Sequence, residues 1–366
     1  MLGPLTLERA YYHCAPCQQG FCPRDLELVL EDSSLSPALT RMVAAAATEV
    51  SFEKGRALLE ELAGVDLDTK QVERTAESLG AEIAQDEQDH VESLGEPPAA
   101  PTIYLGVDGT GLPMRARELE GHAGKQPDGS SKTREAKLVT VWSAEGRDKD
   151  GFPTRDPGSV TYSGAIESAA SKDTDKTPSE FAQRVMREAT RRSFLDAPRR
   201  VVIGDGAAWI WNLSHELFPD AIEILDLYHA KEHLADLAHT LFGPVSLCAK
   251  EWAAQRNDEL DEGRFDDLLK AVDEHASSHG DARLCAAYLR QHRHRMRYPE
   301  YRAQGLCVGS GVVEAGCRVA MGDRLKRTGM HWTVRGANSI TALRCCRLSG
   351  RFDRFWARRA RRRAAA

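Results

Sequence analysis

The chain has 366 residues, of which 42% are hydrophobic and 28% are charged. This length allows two or three domains, and the composition is typical of globular proteins and excludes a largely disordered chain. No uninterrupted apolar run of membrane-spanning length and no signal-peptide core occurs, and the nine scattered cysteines suit reduced thiols, so we expect a cytoplasmic protein without a membrane partner.

Residues 1–30 form a partial cysteine-rich segment, "YYHCAPCQQGFCPRD". Cys14 and Cys17 make a Cys-x-x-Cys pair, which is half of the thiolates in a closed tetrahedral zinc site. Cys22 or His13 would have to substitute for the missing thiolates, and the alternative is that these are surface cysteines without a metal. The pattern therefore marks Cys14 and Cys17 as a partial zinc site, and we do not expect zinc to be a cofactor.

Residues 31–93 have a helical pattern. Phe52, Leu58, Leu59 and Leu62 form an apolar face, "AGVDLD" is a turn, and Asp68 caps a second helix that we predict to run through Leu79. This outline predicts a helix-turn-helix-like domain whose second helix reads DNA, with an ordinary helical pair as the alternative. The proline-rich stretch at 94–102, "LGEPPAAPT", is interpreted as a linker.

After the linker, strand and helix patterns alternate. Three strands are expected at 103–107, 138–143 and 160–163, followed by helix 179–192, strand 201–204, a helix, strand 221–225 and another helix. This order predicts an α/β fold with an RNase H-like mixed sheet, in which the first strand lies beside a later parallel strand. The core would comprise 103–229 and 301–345, with an all-α insertion at 230–300.

Two aspartates follow strands of this sheet. Asp108 follows the first strand in "LGVDGTG", and Asp205 follows the buried strand of "VVIGDGAAWIW". If those strands are parallel neighbours, the two carboxylates lie together, an arrangement that a metal-dependent phosphoryl-transfer site requires. The alternative is that each aspartate belongs to an ordinary turn or helix cap. Glu314 begins a later helix in "CVGSGVVEAGCR".

The C-terminal end is basic although the net charge is −6, because residues 301–366 contain fifteen Lys or Arg and three acids. The tail at 346–366 interleaves arginines with Phe352, Phe355 and Trp356. This composition predicts phosphate contacts and some base stacking, with an inert solvated terminus as the alternative. The predicted DNA-binding residues of the tail are Arg358, Arg359 and Arg361.

Four motifs occur in order: "LGVDGTG", "IGDGAAWIWNL", "LDLYHAKEHL" and "GSGVVEAGCR" with the following "RLKRTGMHWT". From about Leu105 to the C-terminus the chain resembles transposases of the ISKra insertion-sequence family, within the DDE group that carries an inserted helical domain. The cysteine segment also resembles that family's N-terminus, where a further Cys-x-x-Cys pair completes a zinc site.

The resemblance implies a bacterial, nucleoid-associated DNA transposase. Asp108, Asp205 and Glu314 would be the catalytic residues and would hold two Mg²⁺ or Mn²⁺ ions. The enzyme would cleave element ends and transfer the freed 3′-OH into target DNA. Its partners would be the terminal repeats, target DNA and further copies of itself, as a homo-oligomer on DNA.

The resemblance also implies a role for "DLYH", because related transposases have an acid or cysteine, two residues and a histidine after the second aspartate. We expect Asp226 and His229 to be auxiliary residues near the scissile phosphate. Two alternatives stay open: Asp226 is itself a metal ligand, or the pair merely caps a helix.

Four further residues are predicted to surround the cut DNA end: Arg318, Arg324, Lys326 and Trp332. Glu314 and Arg318 are four apart, so on a helix they share a face, and Trp332 could stack on an unpaired base. The alternative makes Trp332 a core residue and pairs Arg318 with Asp323.

Two other functions compete with an active transposase. A decayed or domesticated transposase would bind DNA without cutting it. A stand-alone structure-specific nuclease on the same fold would share the acids.

Overall fold

The structure, a computed structural model, describes residues 6–28, 35–91, 100–124, 126, 129–170 and 177–365. Most of the predicted linker at 94–102 lies outside these residues. Within them, no helix combines the length and apolar character that a membrane crossing needs.

The described residues form nine strands and fifteen α-helices. The strands are β1 (Tyr12–Cys14), β2 (Gln19–Phe21), β3 (Thr102–Pro113), β4 (Thr133–Ser143), β5 (Gly146–Arg147), β6 (Pro153–Thr154), β7 (Thr161–Ala165), β8 (Arg199–Gly204) and β9 (Ile222–Leu225). The helices before β8 are α1 (Pro23–Leu28), α2 (Pro37–Glu49), α3 (Phe52–Ala63), α4 (Thr69–Asp89) and α5 (Glu180–Arg191). The later helices are α6 (Ala208–Leu217), α7 (Leu227–Phe242), α8 (Leu247–Asp261), α9 (Phe265–Ala276), α10 (Gly280–His292), α11 (Tyr298–Ala303), α12 (Gly311–Cys317), α13 (Asp323–Leu325), α14 (Val334–Leu348) and α15 (Phe352–Ala365).

A five-stranded mixed sheet lies at the centre, in the order β7-β4-β3-β8-β9. β4 runs antiparallel to both β3 and β7, whereas β3, β8 and β9 are parallel. The prediction of a mixed α/β sheet with the first strand beside a later parallel strand is confirmed. The strand order is compatible with the RNase H-like arrangement.

β3 is longer than the pattern predicts. It continues through Asp108 to Pro113, because β4 pairs with it along the whole stretch, from Ile103 opposite Ser143 to Pro113 opposite Thr133. The glycines in "DGTG" suggested a turn at Asp108, but the antiparallel ladder holds them extended. Asp108 therefore lies within a strand whose parallel neighbour has already ended.

Between β9 and α12 the chain is helical, and the described residues there contain no strand. α7 and α10 pack on the sheet, where Leu234, Leu237 and Leu289 join the core formed with β3, β8 and β9. The helical composition predicted for 230–300 is confirmed. Its status as an insertion stays a prediction.

The N-terminal helices pack against the C-terminal part of the chain. Asp68 caps α4 as predicted, because its carboxylate accepts the Lys70 N–H at 2.7 Å. α4 extends to Asp89, ten residues past the predicted end, and buries Val72, Leu79 and Ile83.

α4 crosses α14 closely. A Cβ added at Gly80 would overlap the carbonyl oxygen of Ser339, so glycine permits this approach. One face of α4, the predicted DNA-reading helix, is thus committed to packing. On α3 the predicted apolar face is divided, since Leu59 is buried whereas Leu62 is 80% exposed.

The basic tail is the helix α15, and it packs on α4. Arg358 forms an ion pair with the buried carboxylate of Asp86, and Arg359, itself buried, lies 2.9 Å from the Glu82 carboxylate. The prediction that Arg359 contacts DNA is corrected, because this side chain is buried against a carboxylate of α4. Arg358 is paired one turn further along α4 but half-buried, and its contact with DNA stays a prediction. Arg361 is exposed, and its contact with DNA stays a prediction.

Candidate functional site

Asp108 and Asp205 are brought together by strand register. Gly106 of β3 pairs with Ile203 of β8 in parallel, and each aspartate lies two residues beyond its member of that pair. The two backbones therefore carry Asp108 and Asp205 to the same edge of the sheet. Asp205 follows β8 directly and is half-buried, as is Asp108.

Glu314 reaches this edge on α12, which packs across β3 and β4. A Cβ at Gly106 would overlap the Val313 side chain, so the absence of a side chain there lets the helix approach the strand. Val313 is buried while the neighbouring Glu314 is exposed. The glutamate thus extends from a fixed helix toward the sheet edge.

The three carboxylates interact electrostatically. Burial raises the pKa of Asp108, and the negative charges of Asp205 and Glu314 raise it further. Opposing contributions come from hydrogen bonds that Asp108 accepts from the Cys317 thiol and from the Gly109 N–H, the latter at 2.6 Å. The ionised form of Asp108 is therefore disfavoured in the protein until a cation binds nearby.

Cys317 is a site residue that motif reasoning missed. It lies three residues after Glu314 on α12, so the helical spacing alone could have indicated that it shares a side with the glutamate. Burial raises the pKa of its thiol well above the usual range, and the adjacent Asp108 raises it further. The thiol stays protonated and donates to the aspartate, which links α12 to β3.

The donor chemistry of the three carboxylates suits a hard divalent cation such as Mg²⁺ or Mn²⁺. A preformed ligand set is absent among the described residues, since no group of three or more His, Cys, Asp or Glu side chains there is placed to hold an ion. Asp205 also accepts the Ala207 N–H at 2.9 Å. The residue types fit a metal, and the metal roles of the three acids stay predictions.

Asp226 is buried and fully engaged in hydrogen bonds. Its Oδ1 accepts the N–H groups of Tyr228 at 2.6 Å and His229 at 3.3 Å, which caps α7. Its Oδ2 accepts both the N–H of Ser310, at 2.7 Å, and the Ser310 hydroxyl. These bonds support the capping interpretation and leave Asp226 poorly disposed to act as a metal ligand.

Aromatic rings border Asp205 on the side of the helices. The Tyr288 hydroxyl donates to the Asp205 carbonyl at 3.3 Å, and its ring centroid lies 4.3 Å from that of His233. His233 in turn contacts His229, with ring centroids 4.7 Å apart. Burial lowers the pKa of His233, and His229 lowers it further. The pattern predicted His229 near the site but not Tyr288, which comes from α10.

Arg324 and Trp332 are core residues, and the prediction that they contact DNA is corrected. Arg324 is fully buried, its Nε donates to the Ala47 carbonyl at 2.7 Å, and its guanidinium lies over the Phe52 and Trp332 rings. Trp332 is 6% exposed and its indole N–H donates to the Leu325 carbonyl at 2.9 Å. Docking of the N-terminal helices covers both side chains.

Arg318 and Lys326 are exposed. A π-helical turn, Arg318–Gly322, follows α12, so the helix does not continue regularly to Lys326. Arg318 lies 4.0 Å from the Asp323 carboxylate, a loose surface pair of little energetic weight. The Lys326 ammonium donates to the Thr110 hydroxyl, two residues past Asp108 on β3, which places this positive charge beside the carboxylates.

The cysteine pair lies in the β1–β2 hairpin. Cys14 and Cys17 are both exposed, and a hydrogen bond from the Gln19 N–H lowers the pKa of Cys17, with Cys14 lowering it further. Neither His13 nor Cys22 completes a group of metal-binding side chains in the part of the chain that the structure describes.

No protein-family model and no curated protein matches this chain. Four chains of solved structures match it. One is that of the Drosophila P element transposase strand transfer complex, which is 9% identical, with 93% of this chain and 84% of that chain covered, at a TM-score of 0.30. A likeness at this level carries no argument about fold or activity, so the functional inference depends on the residues themselves.

Proposed function

We propose that this protein is a DNA transposase of the ISKra type, encoded by a bacterial insertion sequence, with an RNase H-like catalytic core and a helical insertion. Asp108, Asp205 and Glu314 would hold two Mg²⁺ or Mn²⁺ ions for cleavage at element ends and 3′-OH strand transfer. The observation that carries the proposal is the β3–β8 register, which aligns Asp108 with Asp205. Asp108 lies on β3, the strand that α12 crosses, and α12 carries Glu314.

Bound divalent ions would supply an activated water and stabilise charge on the phosphate. The chain's residues prepare that chemistry. Asp205 is fixed at the end of a buried strand, and the Cys317 thiol orients Asp108. The raised pKa of Asp108 means that a cation relieves an existing electrostatic cost. Glu314 is exposed, so its side chain can change rotamer without disturbing the core.

Exposed cations provide the proposed DNA contacts. Lys326 lies next to the carboxylates through Thr110, where its ammonium could meet a phosphate oxygen. Arg318 and Arg361 would add phosphate contacts farther from the reacting bond. Because transposition joins two element ends, we also propose a homo-oligomer on DNA.

A second candidate is a DNA-binding protein that no longer cleaves. It is favoured by one observation, namely that no ready ligand group occurs among the described side chains. The two candidates agree on the partner and differ only in whether phosphodiester bonds are broken.

The test is incubation of the purified chain and Mg²⁺ or Mn²⁺ with end-labelled duplexes that carry the sequences flanking its gene. Wild type should cleave them, and Asp205→Asn should bind the same DNA without cleaving it. Asp220→Asn is the matched control, since Asp220 is exposed and precedes β9 at its other end, and it should cleave like wild type.

Cleavage by Asp205→Asn at the wild-type rate would show that Asp205 is not a catalytic residue. Binding by wild type without cleavage in either metal would establish the second candidate instead.

A further inference from the structure

The segment before α12 is attached to the start of α7 by three adjacent contacts. The Asp226 carboxylate accepts the N–H and the hydroxyl of Ser310, and the Leu227 N–H donates to the Val308 carbonyl at 2.9 Å. The Tyr228 ring covers Gly309 so closely that a Cβ there would overlap it. We call residues 226–228 with 308–310 the clamp.

The clamp closes a long helical excursion. Residues 226 and 310 are separated by 84 positions, and α7 to α11 lie between them. Because β9 is paired with β8, with Leu225 opposite Gly204, the clamp ties the segment before α12 to the strand edge that carries Asp205.

The clamp also controls the first turn of α12. The Ser310 carbonyl accepts the N–H groups of Val313 at 2.6 Å and Glu314 at 3.1 Å. Ser310 is thus bound to Asp226 through its N–H and hydroxyl and to Glu314 through its carbonyl. Ser310 therefore connects the buried Asp226 to the exposed Glu314 through hydrogen bonds.

We propose that Asp226 is the positioning residue for Glu314, acting through Ser310 to set where α12 begins relative to Asp205. This inference rests on the proposed function, because Glu314 is a metal ligand only if that function is correct. It assigns Asp226 no contact with DNA or with an ion, because the described bonds of its carboxylate all lead to backbone N–H groups and one hydroxyl. A buried carboxylate serves here because its two oxygens can accept four donors at once.

Two variants test the clamp. Asp226→Asn replaces an acceptor by an amide that cannot satisfy both the α7 N–H groups and Ser310. Ser310→Ala removes only the hydroxyl bond, so it still tests the proposal if Asp226→Asn misfolds. Ser310→Thr retains the hydroxyl and should behave like wild type. Asp68→Asn is the matched control, because Asp68 also caps a helix but lies in the N-terminal helices.

The first measurement is amide hydrogen exchange of the metal-free protein over residues 311–317. Asp226→Asn should speed exchange there about tenfold, since loss of hydrogen bonds at the clamp makes local opening of α12 easier. Ser310→Ala should have a smaller effect in the same segment. Asp68→Asn should leave it unchanged.

The second measurement is binding of Mn²⁺ alone, followed by the paramagnetic resonance signal of the free ion. Residues that orient metal ligands typically change affinity about 10–100-fold when they are replaced, so Asp226→Asn should weaken binding by at least about tenfold. A residue with a merely structural role would lower the melting temperature without this selective loss.

Wild-type exchange at 311–317 in both Asp226→Asn and Ser310→Ala would overturn the proposal, as would equal changes in Asp68→Asn. Faster exchange with unaltered Mn²⁺ affinity would also overturn it, because Glu314 would then not depend on the clamp. Failure of wild type to bind Mn²⁺, with faster exchange in the variants, would refute the metal site while upholding the link from Asp226 to α12.

Discussion

Replacement of Trp332 by alanine distinguishes a core residue from a DNA-stacking residue. Trp332 is 6% exposed, its indole N–H donates to Leu325 at 2.9 Å, and its ring meets Phe52 edge-on with centroids 5.9 Å apart. Truncation of a buried tryptophan costs about 3–5 kcal/mol. Trp332→Phe keeps most of the apolar contact and should cost less, with about 1 kcal/mol coming from the lost hydrogen bond.

The assay is urea unfolding followed by both circular dichroism and fluorescence, with DNA affinity measured where each variant is folded. Trp332→Ala should lower the free energy of unfolding by the full amount, whereas affinity per folded molecule should change little. A double variant with Phe52→Ala should be less destabilised than the sum of the single variants, because the two rings share one contact. Unchanged stability with a large loss of DNA affinity would refute this reasoning and support base stacking.

Three further predictions concern the tail, pH and helix packing. Arg361→Gln should reduce the log–log salt dependence of DNA binding by nearly one unit, whereas Arg359→Gln should lower stability and leave the slope unchanged; equal slopes in titrations of both variants would contradict this. Burial lowers the pKa of His292 to about 4, so the unfolded chain binds more protons between that value and about 6.5, and stability should fall by about 2–3 kcal/mol as pH falls through this window. His292→Gln should flatten that part of the unfolding profile, and a profile identical to wild type would exclude the assignment. Gly80→Ala should cost about 1–3 kcal/mol, because its methyl group meets the Ser339 backbone; an unchanged melting temperature would show that α4 and α14 do not pack this closely.

Local patterns in the sequence determined several parts of this protein. Buried β-branched runs predicted β3 and β8, and the order of strands and helices predicted that the two would be parallel neighbours. Asp68 was recognisable as a cap because an aspartate before a helical pattern satisfies backbone donors within three residues. These features depend on chain neighbours or on general rules of sheet topology, so they can be read without coordinates.

Tertiary structure alone decided which charged and aromatic residues face solvent. The partner of Arg358 is Asp86, 272 positions away, and a guanidinium has the same local sequence signature whether it meets a carboxylate or a phosphate. Trp332 and Arg324 likewise become core residues only when the N-terminal helices cover them.

The clamp is the same kind of case. In the sequence, "DLYH" resembles a site motif. The role of Asp226 nevertheless depends on Ser310, which follows five intervening helices and contacts Asp226 only in the folded chain. Long-range contacts of this kind leave no periodic signal in the sequence, because neither partner constrains the residues next to the other. Contacts between distant segments therefore determined how the site residues are held in place, whereas local patterns determined where in the chain its acidic residues lie.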